Sequence, residues 1–181
     1  MRKRLIVIGV AVAGVMALGA QSAAAAANQC LAANGQLRMH KGTATCTATG
    51  TGSVAKVKGA NSTATAIEGD HNKATVSGDH SSAEAGAGEH NRARVTGDNS
   101  IANAINGENN TATVTGDGSI ADAFSGDNNT ATVTGDQSRA SAVNGDNNTA
   151  TVTGDGSFAS AAAPGGCTAT AIGDGVTDIC P

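Results

Sequence analysis

The sequence has few of the side chains from which globular cores are built. Among its 181 residues there is no tryptophan or tyrosine, and there are only two phenylalanines and two prolines. Leu, Ile, Val and Phe together make up about 15% of the chain, below the roughly 20% under which disorder is the usual expectation. Because stabilisation grows with the apolar area that is buried, this scarcity excludes a conventional globular core with a deep catalytic pocket.

Motifs of the common catalytic sites are also missing. The sequence has no phosphate-binding loop, no CxxC and no HExxH. Its serines recur in the same context throughout, whereas a catalytic serine stands beside a base and an orienting group at one place only. We therefore predict a protein that is not an enzyme and has no metal centre.

The first 27 residues have the layout of a secretory signal peptide. Three cations at positions 2–4 precede an uncharged apolar run over residues 5–18, and small residues follow at 21–27. A membrane anchor is the alternative, although the apolar run is short for a bilayer span and no second one follows. We predict cleavage near residue 27 and a secreted, extracellular or cell-surface protein.

Four cysteines flank the middle of the chain, at Cys30, Cys46, Cys167 and Cys180. An even number of cysteines in an exported protein predicts disulfides. Of the three connectivities, local pairing of Cys30 with Cys46 and of Cys167 with Cys180 is favoured. It predicts an N-terminal cap over residues 28–49 and a C-terminal cap over residues 164–181.

Between these caps the sequence repeats every 19 residues. The segments beginning at Gly97, Gly116 and Gly135 align without a gap. Each unit divides into a ten-residue half, G-D-x-S-x-A-x-A-x-x, and a nine-residue half, G-D-x-N-x-A-x-V-x. In each half a Gly-Asp turn precedes strict alternation of small apolar and other residues, which is typical of a strand. We predict an all-β, flattened two-sheet β-solenoid of about six coils over residues 50–163.

The alternation also predicts which side chains face inward. Thr130, Thr132 and Thr134 should point outward, as should Ile120, Asp122 and Phe124. Alanine and valine fill the interior, and serine and asparagine at its corners should form ladders from coil to coil, as amides do in cross-β structures. The predicted ladder residues are Asn72, Asn91, Asn110, Asn129, Asn148, Ser62, Ser81, Ser100, Ser119, Ser138 and Ser157.

The nine-residue half resembles the curlin repeat, G-x-x-N-x-A-x-V. Gly126, Asn129, Ala131 and Val133 carry the match. The curlin glutamines are absent, and Ser125 and Gly135 stand near their places. Curlin-like proteins are secreted bacterial fibre subunits that build biofilm matrix. The resemblance therefore implies a structural or adhesive protein of the cell surface or extracellular matrix, with self-association or surface polymers as its partners. The small-residue repeats are also similar to those in the heads of trimeric surface adhesins.

The outer face of the nine-residue strands suggests a different class, a binding module. Its later coils carry a grid of Thr111, Thr113, Thr115, Thr130, Thr132, Thr134, Thr149, Thr151 and Thr153. Such T-x-T rows resemble insect-type ice-binding surfaces, although threonine is also a common exposed strand residue. Its earlier coils carry Lys56, Lys58, Lys73, Arg92 and Arg94. This patch predicts binding of an anionic cell-wall polymer, or else a solvated face that prevents aggregation. Without aromatic residues for base stacking, nucleic acid is not favoured.

The corners carry acidic residues in register. One edge has Asp70, Glu89, Glu108, Asp127 and Asp146, and the other has Asp79, Asp98, Asp117, Asp136 and Asp155. Calcium bound between stacked carboxylates is one interpretation, and turn formation by aspartate is the other. No other cofactor is predicted. His71 and His90 lie one period apart at a corner, so their rings should be neighbours.

Overall fold

The computed structural model describes residues 28–181, and the predicted signal peptide at 1–27 lies outside the described residues. The described chain forms β-strands and no helix. A nine-stranded sheet contains β1 (Gln29–Ala33), β2 (Gln36–Lys41), β4 (Val54–Lys58), β6 (Lys73–Ser77), β8 (Arg92–Thr96), β10 (Thr111–Thr115), β12 (Thr130–Thr134), β14 (Thr149–Thr153) and β16 (Thr168–Ile172). An eight-stranded sheet contains β3 (Thr45–Ala48), β5 (Thr63–Ile67), β7 (Ser82–Gly86), β9 (Ile101–Ile105), β11 (Ile120–Phe124), β13 (Arg139–Val143), β15 (Phe158–Ala161) and β17 (Thr177–Cys180).

From β3 onward successive strands alternate between the two sheets, so each pair of strands makes one coil. Within the repeat each strand pairs in parallel with the strand one period away, and Thr111, Thr130 and Thr149 stand in one column. The predicted all-β, two-sheet solenoid is therefore confirmed. Cys30 pairs with Cys46 and Cys167 with Cys180, which confirms the predicted disulfide-capped ends.

The solenoid is longer than predicted, with about seven coils instead of six. Parallel pairing begins at Thr45, where β3 pairs with β5, and continues to Cys180, where β17 pairs with β15. The parallel ladder extends beyond residues 50 and 163 because both cysteine segments keep the alternation of the repeat, and the C-terminal one also keeps a Gly-Asp corner at Gly173 and Asp174. Residues 164–181 are thus a further coil closed by a disulfide.

The corners are narrow enough to require glycine. Gly116 has a φ of 141°, and a Cβ built on it would overlap the carbonyl oxygen of Gly135 in the next coil. Coils spaced about 4.8 Å apart leave no room for a side chain there. The repeated glycine of each half therefore fixes the position at which the chain turns from one sheet to the other.

The interior consists of small side chains from both sheets. Alanines and valines such as Ala121, Ala131 and Val133 have no exposed surface. Val57, Val76, Val95, Val114, Val133 and Val152 are the largest apolar side chains fully inside. Such a thin interior has no room for the aromatic and long aliphatic residues that the sequence lacks.

The predicted ladder residues all lie inside the coil, and none is more than 3% exposed. The Nδ2 of Asn91 donates to the carbonyls of Gly107 (2.7 Å) and Gly86 (3.1 Å), and its Oδ1 accepts from the N–H of Asn110 (2.9 Å). Ser100 similarly donates to Gly116 and accepts from Ser119 in the next coil. These side chains satisfy corner backbone groups that the sheets leave unpaired, as burial requires.

The two ends are closed in different ways. At the N-terminal end β1 pairs antiparallel with both β4 and β2, so a hairpin covers the nine-stranded sheet. At the C-terminal end Asp178 stands in register with the inward-facing Ala159. Its carboxylate accepts a hydrogen bond from the N–H of Thr170 on the edge strand β16 (2.6 Å). A charge at such a position blunts a strand edge against further pairing.

Candidate binding faces

The basic face is the N-terminal part of the outer surface of the nine-stranded sheet. The register of β4, β6 and β8 brings its members together, and all five are exposed: Lys56, Lys58, Lys73, Arg92 and Arg94. The hairpin adds Lys41, since Gln29 pairs with Lys58 on one side and with Lys41 on the other. Directly paired residues share a face, so Lys41 continues the patch. Sequence reasoning missed it because the hairpin lies outside the repeat.

No carboxylate shares this face. The outward positions of the even-numbered strands from β4 to β16 hold lysine, arginine, threonine, serine, Val54 and Ile172. Among residues 28–181 the one ion pair joins Arg139 to Asp122 (2.8 Å), on the opposite sheet. The cations of the basic face are therefore unneutralised by contacts within the described chain, and their potentials add.

The threonine grid continues the same surface toward the C-terminal end. Its nine predicted members align in three columns on β10, β12 and β14, and Thr168 and Thr170 extend two of these columns onto β16. Neighbouring threonines are about 6.8 Å apart along a strand and about 4.8 Å apart between strands. The third column, Thr115, Thr134 and Thr153, is exposed, and the other two are half-buried. Ice binding by this grid stays a prediction.

The outer face of the eight-stranded sheet differs in character. Asp122, predicted to point outward, does lie on the outer side but is only 5% exposed. Its oxygens accept hydrogen bonds from Asn103 Nδ2 (2.9 Å) and Arg139 Nη2 (2.8 Å), which lie in the adjoining coils. Asp122 belongs to a polar middle row with Glu84, Asn103, Ser141 and Ser160. The apolar residues on both sides of this row form the apolar band, which consists of Ile101, Ile105, Ile120, Phe124, Val143 and Phe158. The sequence did not predict this surface, because the alternation was considered one strand at a time.

The corner aspartates hold the turns of neighbouring coils. Asp117 Oδ1 accepts from the N–H of Asp98 (2.8 Å), and Asp127 Oδ1 accepts from the N–H of Glu108 (2.8 Å). One oxygen of each such aspartate is thereby committed to the backbone. Within residues 28–181 no three His, Cys, Asp or Glu side chains group as a metal site would need. Calcium binding at the corners remains an untested prediction.

The predicted histidine neighbours do meet. The rings of His71 and His90 stack with centroids 5.0 Å apart and planes 5° from parallel. On the opposite edge His80 Nε2 lies 3.2 Å from Asn61 Nδ2. Both arrangements follow from the one-period spacing and place the rings on the exposed corners.

Two depressions lie at the N-terminal end of the coil, around Gly35, with volumes of about 210 and 340 Å³. Backbone, small side chains, Gln36 and Leu37 line them, and Cys46 is held in its disulfide. Neither brings an acid, a base or a nucleophile together. The surfaces with distinctive chemistry are therefore the two flat faces.

Residues 28–181 contain no helix with the length and hydropathy needed to cross a bilayer. The two disulfides indicate an oxidising compartment outside the cytoplasm. Comparison with models of known families, with curated proteins and with solved structures finds no match.

Proposed function

We propose that this protein is a secreted, non-enzymatic adhesive protein of the cell surface or extracellular matrix, and that it holds an anionic polymer on its basic face. The observation that supports this proposal is the set of five exposed cations in register on β4, β6 and β8, with no acid at the outward positions of these strands. The curlin-like character of the repeat agrees with a structural role at the cell surface.

The shape of the face favours a polymer over a small ligand. The cations, with Lys41, span five neighbouring strands, or about 19 Å at the usual strand spacing. They lie on a flat sheet and not in a cleft, whereas small-molecule sites are concave and enclosed. A chain with regularly spaced carboxylates or phosphates can contact several of these cations at once. No aromatic residue lies on the face to stack on bases, so a cell-wall glycan or polyuronate fits better than nucleic acid.

The closed ends favour adhesion over growth into long fibres. Fibre subunits of the curlin type stack coil on coil, which requires open strand edges at both ends. Here a hairpin covers one edge, and Asp178 occupies an edge N–H at the other. An adhesive protein of fixed length needs only its lateral faces.

A binding assay on the oxidised protein lacking residues 1–27 tests this proposal. Immobilised alginate, a polyuronate, serves as the anionic probe, and neutral dextran serves as the blank. We expect retention on alginate that falls as salt rises, because the attraction between exposed charges is screened. Arg92→Gln combined with Arg94→Gln should weaken binding about tenfold to thirtyfold, at about 1 kcal/mol for each lost cation near an anionic surface.

The matched control is Thr45→Glu combined with Thr177→Glu, which changes the net charge by the same amount on the opposite sheet. Both of those threonines are exposed. Binding should be almost unchanged in this variant. Equal losses in the two variants would mean that net charge, and not the basic face, governs retention. No retention of the unaltered protein on alginate would reject the proposed ligand class.

A further inference from the structure

The two outer faces of the solenoid differ in a way that concerns its assembly. The nine-stranded sheet presents unpaired cations and threonine. The eight-stranded sheet presents the apolar band, and its outward charges are Glu84 and the paired Asp122 and Arg139. Two basic faces would repel each other, and a disulfide caps each end. The apolar band is thus the surface on which a second copy of the chain can be accommodated.

We propose that the protein forms a closed back-to-back dimer through the outer faces of its eight-stranded sheets. This inference does not depend on polymer binding. A two-fold axis in the interface, parallel to the strands and passing between β9 and β11, makes the contact isologous, as in most homodimers. Each strand then lies opposite the strand at the mirrored place in the order of the sheet.

This axis brings complementary groups together. Ile120 faces Ile101 of the second copy, and Phe124 faces Ile105. Val143 on β13 faces Gly86 on β7, and because both are already buried within one chain, this pair brings the two sheets close without a clash. Arg139, whose side chain is 51% exposed, comes beside Glu84 of the second copy. Within one chain these two residues are three strands apart, about 14 Å, so neither neutralises the other.

Charge excludes the other simple arrangement. An axis parallel to the rod would place each coil opposite itself, so Glu84 would face Glu84 and Asp122 would face Asp122. Like charges brought together across an interface are strongly unfavourable. The strand-parallel axis avoids both contacts.

The area of the face suits a reversible dimer. Eight strands cover about 38 Å, and five residues cover about 16 Å along each strand. Each copy therefore contributes about 600 Å², and the total of about 1,200 Å² lies at the lower limit of specific interfaces. We expect a monomer–dimer equilibrium at roughly micromolar concentrations, with both basic faces directed outward.

Sedimentation equilibrium of the oxidised protein, over about 1 to 500 μM, tests this assignment. We expect the mass to rise to that of a dimer and no further. Ile120→Lys should raise the dissociation constant at least tenfold, because each copy then contributes one cation beside the two-fold axis and the two cations repel each other. Thr111→Lys is its control, because this half-buried residue occupies the matching strand position on the other sheet.

A second pair of variants tests the axis without altering the apolar band. Glu84→Lys places a cation beside Arg139 of the second copy and should weaken the dimer at least tenfold. Glu89→Lys makes the same change in charge at an exposed corner and should have little effect. A monomer at every concentration, open-ended growth, or equal effects within either pair would overturn the proposal, and circular dichroism spectra check that each variant is folded.

Discussion

At the scale of the residue, the corners impose a backbone conformation that few side chains accept. Each coil places residues at positive φ where the chain leaves one sheet for the other, and asparagine is frequent there, as at Asn106, Asn109 and Asn144. Asparagine tolerates this region because its short amide bonds locally. Ala87 adopts a φ of 51° at the place that Asn106 and Asn144 occupy one and three periods later. It therefore carries strain that its counterparts avoid.

Ala87→Asn should stabilise the protein by about 1 kcal/mol, because a left-handed conformation costs an ordinary residue about that much. The midpoint of thermal unfolding, followed by circular dichroism, measures the gain. Ala162→Asn is the control, since Ala162 is also partly exposed but has no positive φ. A lower midpoint for the Ala87 variant than for this control would contradict the strain at the corner.

At the scale of the element, the asparagine ladder is uneven along its length. Asn91 uses both its amide hydrogens and its oxygen in the ladder. Asn129 accepts from the N–H of Asn148, but its Nδ2 is buried without a partner in the described part of the chain. An unmade buried hydrogen bond costs about 1 to 3 kcal/mol. The ladder is thus weaker beside Phe124 than it is two coils earlier.

Asn91→Ala should therefore cost more stability than Asn129→Ala. Both residues are fully buried and occupy the same place in the repeat, so the cavity left behind is the same. The difference should be about 1 to 2 kcal/mol, from the hydrogen bonds that only Asn91 donates. Denaturant unfolding of the two variants side by side measures it. Equal losses would show that the amide of Asn129 is satisfied in solution.

The strands also show which features of the structure could be predicted from the sequence. Alternation placed Asn129, Ala131 and Val133 inside, because a two-residue period has only two phases. The alternation could not predict the burial of Asp122, because this burial depends on contacts with Asn103 and Arg139 in neighbouring coils. Lys41 joined the basic face through an antiparallel hairpin that the repeat does not encode. Predicting side-chain contacts between coils requires the pairing register of neighbouring strands, which the sequence of a single strand does not reveal.

At the scale of the whole molecule, the strand edges at the two ends determine whether another chain can add to the rod. The carboxylate of Asp178 takes the position of an inward alanine and occupies the N–H of Thr170. An aligned strand edge with unpaired groups is a template for another chain. The disulfide between Cys167 and Cys180 holds the two C-terminal edge strands together and keeps this carboxylate in place.

Asp178→Ala should release this edge and promote edge-to-edge association at the C-terminal end. We expect faster aggregation and higher thioflavin fluorescence than for the unaltered protein at equal concentration. Glu89→Ala, which removes an exposed acid from a corner, is the matched control for charge. Identical aggregation rates for the two variants would show that the C-terminal edge is protected by something other than Asp178.

The uniform 19-residue register has a consequence for how such a molecule can change in length. Each coil of the repeat meets its neighbours through the same backbone pairs, so duplicating one unit creates no new kind of junction. Every added unit would lengthen the rod by about 4.8 Å and leave both closed ends as they are. The length of the rod is therefore set by the number of coils. The length and the charge on each coil can be changed separately, the first by the number of repeats and the second by outward substitutions.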